Sequence, residues 1–278
     1  MHTSLISAKK LAQKLDNPNW RVVDFRFALD APERGKNDYR IAHIPGAVYA
    51  HLDDDLSAPV VPGKTGRHPL PEIEQLAALF SKWGIDAGVQ VVVYDDGPGA
   101  IAARLWWLLR WLGHQAVAVL DGGWQGWQKN GYPTSAELPQ RSQRKFVAHL
   151  QNHLLVDSEF VEQQLRSNDY LLIDSRAADR YDGSNETIDP VAGHIPPAVN
   201  VQFASNLPGD GQFRDPQDLQ NHFRKTLGHK KPQQAVFYCG SGVTACHNVL
   251  ALFHAGLGDA KLYAGSWSEW ITDPQRPI

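Results

Sequence analysis

A chain of 278 residues, 42% hydrophobic and 21% charged, carries enough apolar material for one large core or two ordinary ones, which excludes intrinsic disorder. Its net charge of −3 and the lack of a long basic run argue against a nucleic-acid partner, and no apolar run of membrane-spanning length is present. The only two cysteines, Cys239 and Cys246, do not make a secreted disulfide framework, so a reducing, cytoplasmic setting is expected.

In chain order, ISAKKLAQKL (residues 6–15) reads as a Ser-capped amphipathic helix rather than a leader segment. WRVVDFR (20–26) is an apolar run ending in Asp-x-Arg, the pattern of a buried parallel strand. YRIAHIPGAV (39–48) follows, then an irregular stretch over 50–70 that includes GRHPLP, then a helical pattern over 72–82. VVVYDDGPGAIAAR (91–104) reads as strand, Gly-rich turn and helix, and GGWQGW (122–127) closes the first half. A polar, proline-punctuated join lies near 133–146.

The same motifs then recur in the same order: YLLIDSR (170–176), PVAGHIPPAV (190–199), AVFYCGSGVTACHN (235–248) and GSWSEW (265–270). Asp24 and His43 are 19 residues apart, and Asp174 and His194 are 20 apart. Four repeated motifs in register indicate a duplicated domain, and strands alternating with helical patterns imply a parallel α/β sheet in each copy. In the alignment Asp95 takes the place of Cys239. A carboxylate cannot attack sulfur as a thiolate does, so Asp95 reads as a structural acceptor.

AVFY should bring Cys239 to the carboxyl end of a buried strand, where open α/β sheets place their ligands. Gly240 and Gly242 let the backbone curl, and the following helix aims free N–H groups at the loop, an arrangement that favours a thiolate. The alternative is a buried structural cysteine in a tight turn. A cysteine phosphatase would need an arginine where Ala245 stands. Papain-like chemistry would need a histidine beside the thiol; His247 follows on the helix in a direction the sequence leaves open, and a surface position is the commoner case for such a residue. Cys246 is expected to be a packed core thiol, and Trp124, Trp127, Trp267 and Trp270 to pack the two cores.

The paired HIPGA and HIPPA motifs, the Asp-x-Arg strand ends, the GGW and GSW corners and the single Cys loop resemble the tandem-domain rhodaneses over nearly the whole chain. CGSGVTA resembles the active loop of the 3-mercaptopyruvate sulfurtransferases, whereas thiosulfate-specific relatives carry basic residues where Gly240 and Ser241 stand. The resemblance implies an α/β protein of two rhodanese-like domains, each a mainly parallel sheet flanked by helices: an inactive copy over 1–136, a linker over 137–152 and a catalytic copy over 153–278. It implies sulfur transfer through a Cys239 persulfide, without metal or cofactor, from a small-molecule donor to a thioredoxin-like protein, a small thiol or cyanide. Arg176, with Arg180 second, would bind the substrate carboxylate; an ion pair with Asp174 is the other reading of Arg176. Amides of Gly240, Gly242, Val243 and Thr244 would cradle the sulfur. Ser241 would relay a proton with His43 and an aspartate that does not map cleanly. For His43 a purely turn-forming role stays open, because His194 repeats it. Arg67 and His68 could also reach the cleft. The competing expectations are a thiosulfate:cyanide sulfurtransferase and a non-enzymatic persulfide carrier.

Overall fold

The computed structural model describes residues 1–167, 169–209 and 211–278. They form two compact units, one of Met1–Ala58, Pro71–Gln151 and Gly209–Phe213, the other of Pro59–Leu70, Asn152–Pro208 and Arg214–Ile278. The loop 59–70 thus belongs to the second unit although it lies in the first half of the sequence. Residues 137–151, expected as a linker, pack on the first unit instead: Arg144 pairs with Asp86 and donates to Pro18 O, and Phe146 packs edge-on against Phe80.

In the first unit the elements run β1 (Leu5–Ile6), α1 (Ala8–Ala12), β2 (Trp20–Asp24), α2 (Arg34–Ile41), β3 (Val48–Tyr49), α3 (Leu52–Leu56), α4 (Ile73–Lys82), β4 (Gln90–Tyr94), α5 (Ala102–Trp111), β5 (Val117–Leu120) and α6 (Gly123–Lys129). The described strands pair in parallel in the order β1-β5-β4-β2-β3. Ser7 caps α1, its hydroxyl accepting from Lys10 N–H. β4 and β5 are buried at every residue, which is why QVVVY and VAVL read as continuous apolar runs rather than alternating ones.

The second unit repeats the plan: β6 (Leu155–Val156), α7 (Ser158–Gln164), β7 (Leu171–Asp174), α8 (Ala178–Tyr181), β8 (Val199–Asn200), α9 (Pro216–Leu227), β9 (Ala235–Tyr238), α10 (Ala245–His254), β10 (Lys261–Tyr263) and α11 (Ser266–Trp270). The order β6-β10-β9-β7-β8 matches the first sheet strand for strand, again in parallel. Among the described residues no helix is long and apolar enough to cross a membrane.

The repeated motifs do the same structural work in each unit. Register sets Asp24 beside Tyr94 and Asp174 beside Tyr238. Burial first, then the neighbouring carboxylate, holds both phenols well above their ordinary pKa, so each stays a hydroxyl. Tyr94 donates to Asp24 at 2.6 Å and accepts from Ile44 N–H; Tyr238 likewise accepts from Ile195 N–H. Arg26 grips Asp24 through Nε and Nη2, donates to Ala42 O and lies 4.6 Å over the Trp124 ring. Arg176 grips Asp174 in the same way, donates to Gly193 O and lies 4.9 Å over Trp267.

The His-Ile-Pro turns are matched as well. His43 stacks on Tyr39 at 4.1 Å with Nδ1 at 2.6 Å from Tyr39 O, and His194 stacks on Tyr181 at 3.9 Å with Nδ1 at 2.9 Å from Tyr181 O. Each tyrosine hydroxyl then ties down the far side of its turn, at Ala47 O and Ala198 O.

Because Asp24 is fully buried, Arg26→Met leaves a carboxylate without its counter-charge. The variant is expected to lose about 3–5 kcal/mol in the unfolding transition of the first unit. Urea denaturation checks this, and an unchanged midpoint would mean that Tyr94 and the backbone alone satisfy the carboxylate.

Candidate active site

Cys239 follows the last residue of β9 and is 2% exposed. Its position is held by the corner between β10 and α11. Cys239 N–H donates to Ser266 Oγ at 3.1 Å, and that hydroxyl donates to Tyr263 O at 2.9 Å. The Cys239 and Gly240 carbonyls accept from Trp267 N–H and Ser268 N–H. Gly242, at φ +73°, presses against this corner so closely that a Cβ would sit 2.2 Å from Ala264 O. Ser266 holds φ +56°, a left-handed conformation uncommon for a residue with a side chain. Gly123 fills the same place in the first unit at φ +52°. The serine therefore accepts a strained backbone and supplies the hydroxyl that anchors the Cys239 amide.

The first unit shows what such a loop holds. The Asp95 carboxylate accepts four amides: Gly97 and Gly99 on Oδ1, and Ile101 and Ala102 on Oδ2, all between 2.8 and 3.0 Å. A loop of this kind, running into the N-terminus of a long helix, concentrates N–H groups on one negative centre. The expected structural role of Asp95 takes this form: its own carboxylate occupies the nest.

The loop 59–70 covers the Cys loop within the second unit. Arg67 N–H donates to Ser268 Oγ at 3.0 Å, and Gly66 passes so near the corner that a Cβ would lie 2.6 Å from Gly265 O. This seats His68, buried, with Nδ1 2.8 Å from Ser241 Oγ. It also brings Arg67 over Gly240, whose missing Cβ would lie 3.0 Å from Arg67 Nη2 and 3.5 Å from Arg180 Nη2. Asp189 bridges these two cations, Oδ1 to Arg67 Nη1 at 2.6 Å and Oδ2 to Arg180 Nη2 at 2.8 Å. Glu186 accepts from Arg180 Nε and from Arg176 Nη1. Burial would raise the Glu186 carboxyl, but the Asp189 amide, Arg180 and the Ile188 amide outweigh it and hold it below the usual range.

Several expected site residues thus stand together: Cys239, Gly240, Ser241 and Gly242 in one loop, Arg180 beside it, and Val243 and Thr244 leading into α10. Arg176 stands apart within the same unit, and His43 belongs to the other unit. Arg176 is a buried strut, four of its five guanidinium N–H groups directed at Asp174, Gly193 O and Glu186 and its face on Trp267, which leaves one Nη1–H at most for a substrate carboxylate. His43 is fully buried in the first unit, with Nδ1 on Tyr39 O and Nε2 3.1 Å from Glu137 O, contacts that close the turn. The histidine that does meet Ser241 is His68.

His247, expected at the surface, is buried and faces Asn206, which bonds Asn248 in turn. Cys246 is packed as expected, its Sγ directed at Gly242 O, and Cys239 and Cys246 are not joined in a disulfide. The loop itself carries no charge, but Arg67 and Arg180 bring positive charge to it from elsewhere in the chain. Asp189, Glu186 and Ser266 were missed, since an acidic pair in DGSNETIDP and a serine in GSW carry no signature of their own.

The chain matches the model of the rhodanese-like domain twice, over residues 7–130 and 157–273. It is 48% identical to a protein of Pseudomonas aeruginosa described as a probable 3-mercaptopyruvate sulfurtransferase, the match covering 99% of this chain and 97% of that one. It is 34% identical to the thiosulfate sulfurtransferase of Rattus norvegicus, over 98% and 93% of the two chains. Among solved structures, the 3-mercaptopyruvate sulfurtransferase of Leishmania major superposes with a TM-score of 0.84 at 31% identity, covering 96% of this chain and 74% of that chain. The corresponding Escherichia coli enzyme gives 0.83 at 30% identity, over 96% and 100%.

The geometry separates the two arginines. Arg180→Met is expected to raise KM for an anionic sulfur donor about tenfold or more, the worth of a charge-assisted hydrogen bond, with little change in folding. Arg176→Met is expected to lower thermal stability first. Steady-state kinetics beside thermal melts checks both, and a KM effect confined to Arg176 would return the clamp to the end of β7.

Proposed function

The chain belongs to the rhodanese family, and from that premise we propose that it moves sulfur from 3-mercaptopyruvate through a persulfide on Cys239 to a thiol or cyanide acceptor, releasing pyruvate. The observation that carries this reading is the contact between Ser241 Oγ and His68 Nδ1, two residues from Cys239, next to Gly240, which the guanidinium groups of Arg67 and Arg180 approach. A carrier that received sulfur ready-made would have no use for a proton donor and a carboxylate clamp at the same loop.

The steps follow from where these groups stand. Arg67 and Arg180 bind the carboxylate of the donor, a planar anion suited to guanidinium donors. The Cys239 thiolate attacks the donor sulfur; the new S–S bond forms as the sulfur–carbon bond breaks, and its electron pair leaves on the carbon as pyruvate enolate. Ser241, with His68 behind it, takes up the proton that the donor's thiol releases and hands a proton to that carbon, giving pyruvate and leaving the persulfide negative. The loop amides from Gly240 to Thr244 hold the negative persulfide, as the first unit's loop holds Asp95. An acceptor thiolate then attacks the outer sulfur and restores the Cys239 thiolate; cyanide does the same and leaves as thiocyanate.

Thiosulfate as a lesser donor is the second reading. What favours it is the positive charge of Arg67 and Arg180 at a loop that is itself uncharged.

Intact-mass measurement after exposure to 3-mercaptopyruvate tests the proposal. One added sulfur is expected, absent in Cys239→Ser and removed by cyanide; no gain in mass would sink the enzyme reading. His68→Ala is expected to slow pyruvate release about 10²-fold while the preloaded persulfide still discharges to cyanide at the normal rate. Equal losses in both half-reactions would mean that His68 only supports the loop.

A further inference from the structure

We propose that Asp189 is the residue that sets donor selectivity, by cancelling part of the positive charge at the mouth of the Cys loop so that a monoanionic donor is preferred to a dianionic one. The inference rests on the donor chemistry proposed above. Its side chain is 2% exposed, and each oxygen is taken by a different guanidinium, Arg67 at 2.6 Å and Arg180 at 2.8 Å. Those same guanidinium groups are the ones that stand over Gly240. Asp189 neutralises cations that would otherwise face the incoming donor with full charge.

The mouth therefore holds two cations, Arg67 and Arg180, against two carboxylates, Asp189 and Glu186, while Arg176 and Asp174 compensate each other beneath. Near-neutrality leaves the directed N–H groups to recognise a carboxylate by hydrogen bonds. Among the described residues Arg67 Nε–H is buried and meets no acceptor. A donor with one negative charge is served by this geometry. A dianion such as thiosulfate would gain from net positive charge, and Asp189 withholds it. Removing one negative charge adds the same potential for either donor, and a dianion responds to that potential twice as strongly.

Asp189 acts through the two arginines and is a positioning residue. Asp189→Asn is expected to raise the ratio of kcat/KM for thiosulfate over 3-mercaptopyruvate about tenfold, chiefly through KM for thiosulfate, with a steeper dependence on ionic strength. Asp189→Glu, which keeps the charge, is expected to hold the ratio of the native enzyme. A ratio unchanged in Asp189→Asn, with both donors falling together, would overturn the proposal and leave Asp189 a strut. A shift as large in Asp189→Glu would also overturn it, by assigning the effect to shape. Should Asp189→Asn fail to fold, competition in the native enzyme decides: sulfate is expected to inhibit no better than acetate at low ionic strength, and much tighter sulfate inhibition would refute the neutral mouth. Failure to load sulfur from either donor in the mass measurement would fell the proposed function beneath it, whereas loading with an unchanged ratio would fell the role of Asp189 alone.

Discussion

The buried pair of Asp174 and Arg176 at the end of β7 is the interaction on which the second unit is arranged. An aspartate with no exposure is costly unless every oxygen is met, and here Arg176 and Tyr238 meet them. Satisfying the pair recruits the rest. Tyr238 also receives the Ile195 amide of the His-Ile-Pro turn, Arg176 reaches Gly193 O, and its outer face stacks on Trp267 of the corner that holds Cys239 O. A single ion pair thus ties the sheet, the turn and the Cys-loop corner together.

The charge relay continues outward from that pair. Glu186 touches both Arg176 and Arg180, Asp189 touches Arg180 and Arg67, and Arg67 stands over Gly240. Alternating signs let buried charges remain ionised in a low-dielectric setting, because each has a partner at hydrogen-bond distance. The consequence for function is that the guanidinium groups at the loop are held rigidly, so little ordering remains to be done when an anion binds.

The duplication supplies an internal control for these arguments. Arg26 repeats the contacts of Arg176 with Asp24, a turn carbonyl and a tryptophan, in a unit whose loop bears Asp95 instead of a thiol. A contact found in both copies serves the scaffold, as the repeated contacts of Arg176 and His43 do. Contacts found only in the second copy, such as Ser266 Oγ with the Cys239 amide and His68 with Ser241, are the ones the chemistry can claim. The sequence already displayed the repeat of His43 and His194, but a repeat of letters does not say whether both copies fold a turn or one of them works.

The parallel sheets, the duplicated units and the place of Cys239 were legible from residue patterns, because they rest on local causes: apolar runs that must be buried on both faces, glycines where φ must be positive, and a loop feeding a helix; the strand order was not read from them. The loop 59–70 was not. Its fold depends on Asp189 and Ser268, 122 and 201 residues away from Arg67, and such pairings leave no periodicity to read. The sequence by itself determined that one sulfur would sit in an anion-favouring loop at a strand end. Only the tertiary structure decided which charges meet it, since a side chain's electrostatic role is set by the neighbours that distant segments bring within a few ångströms.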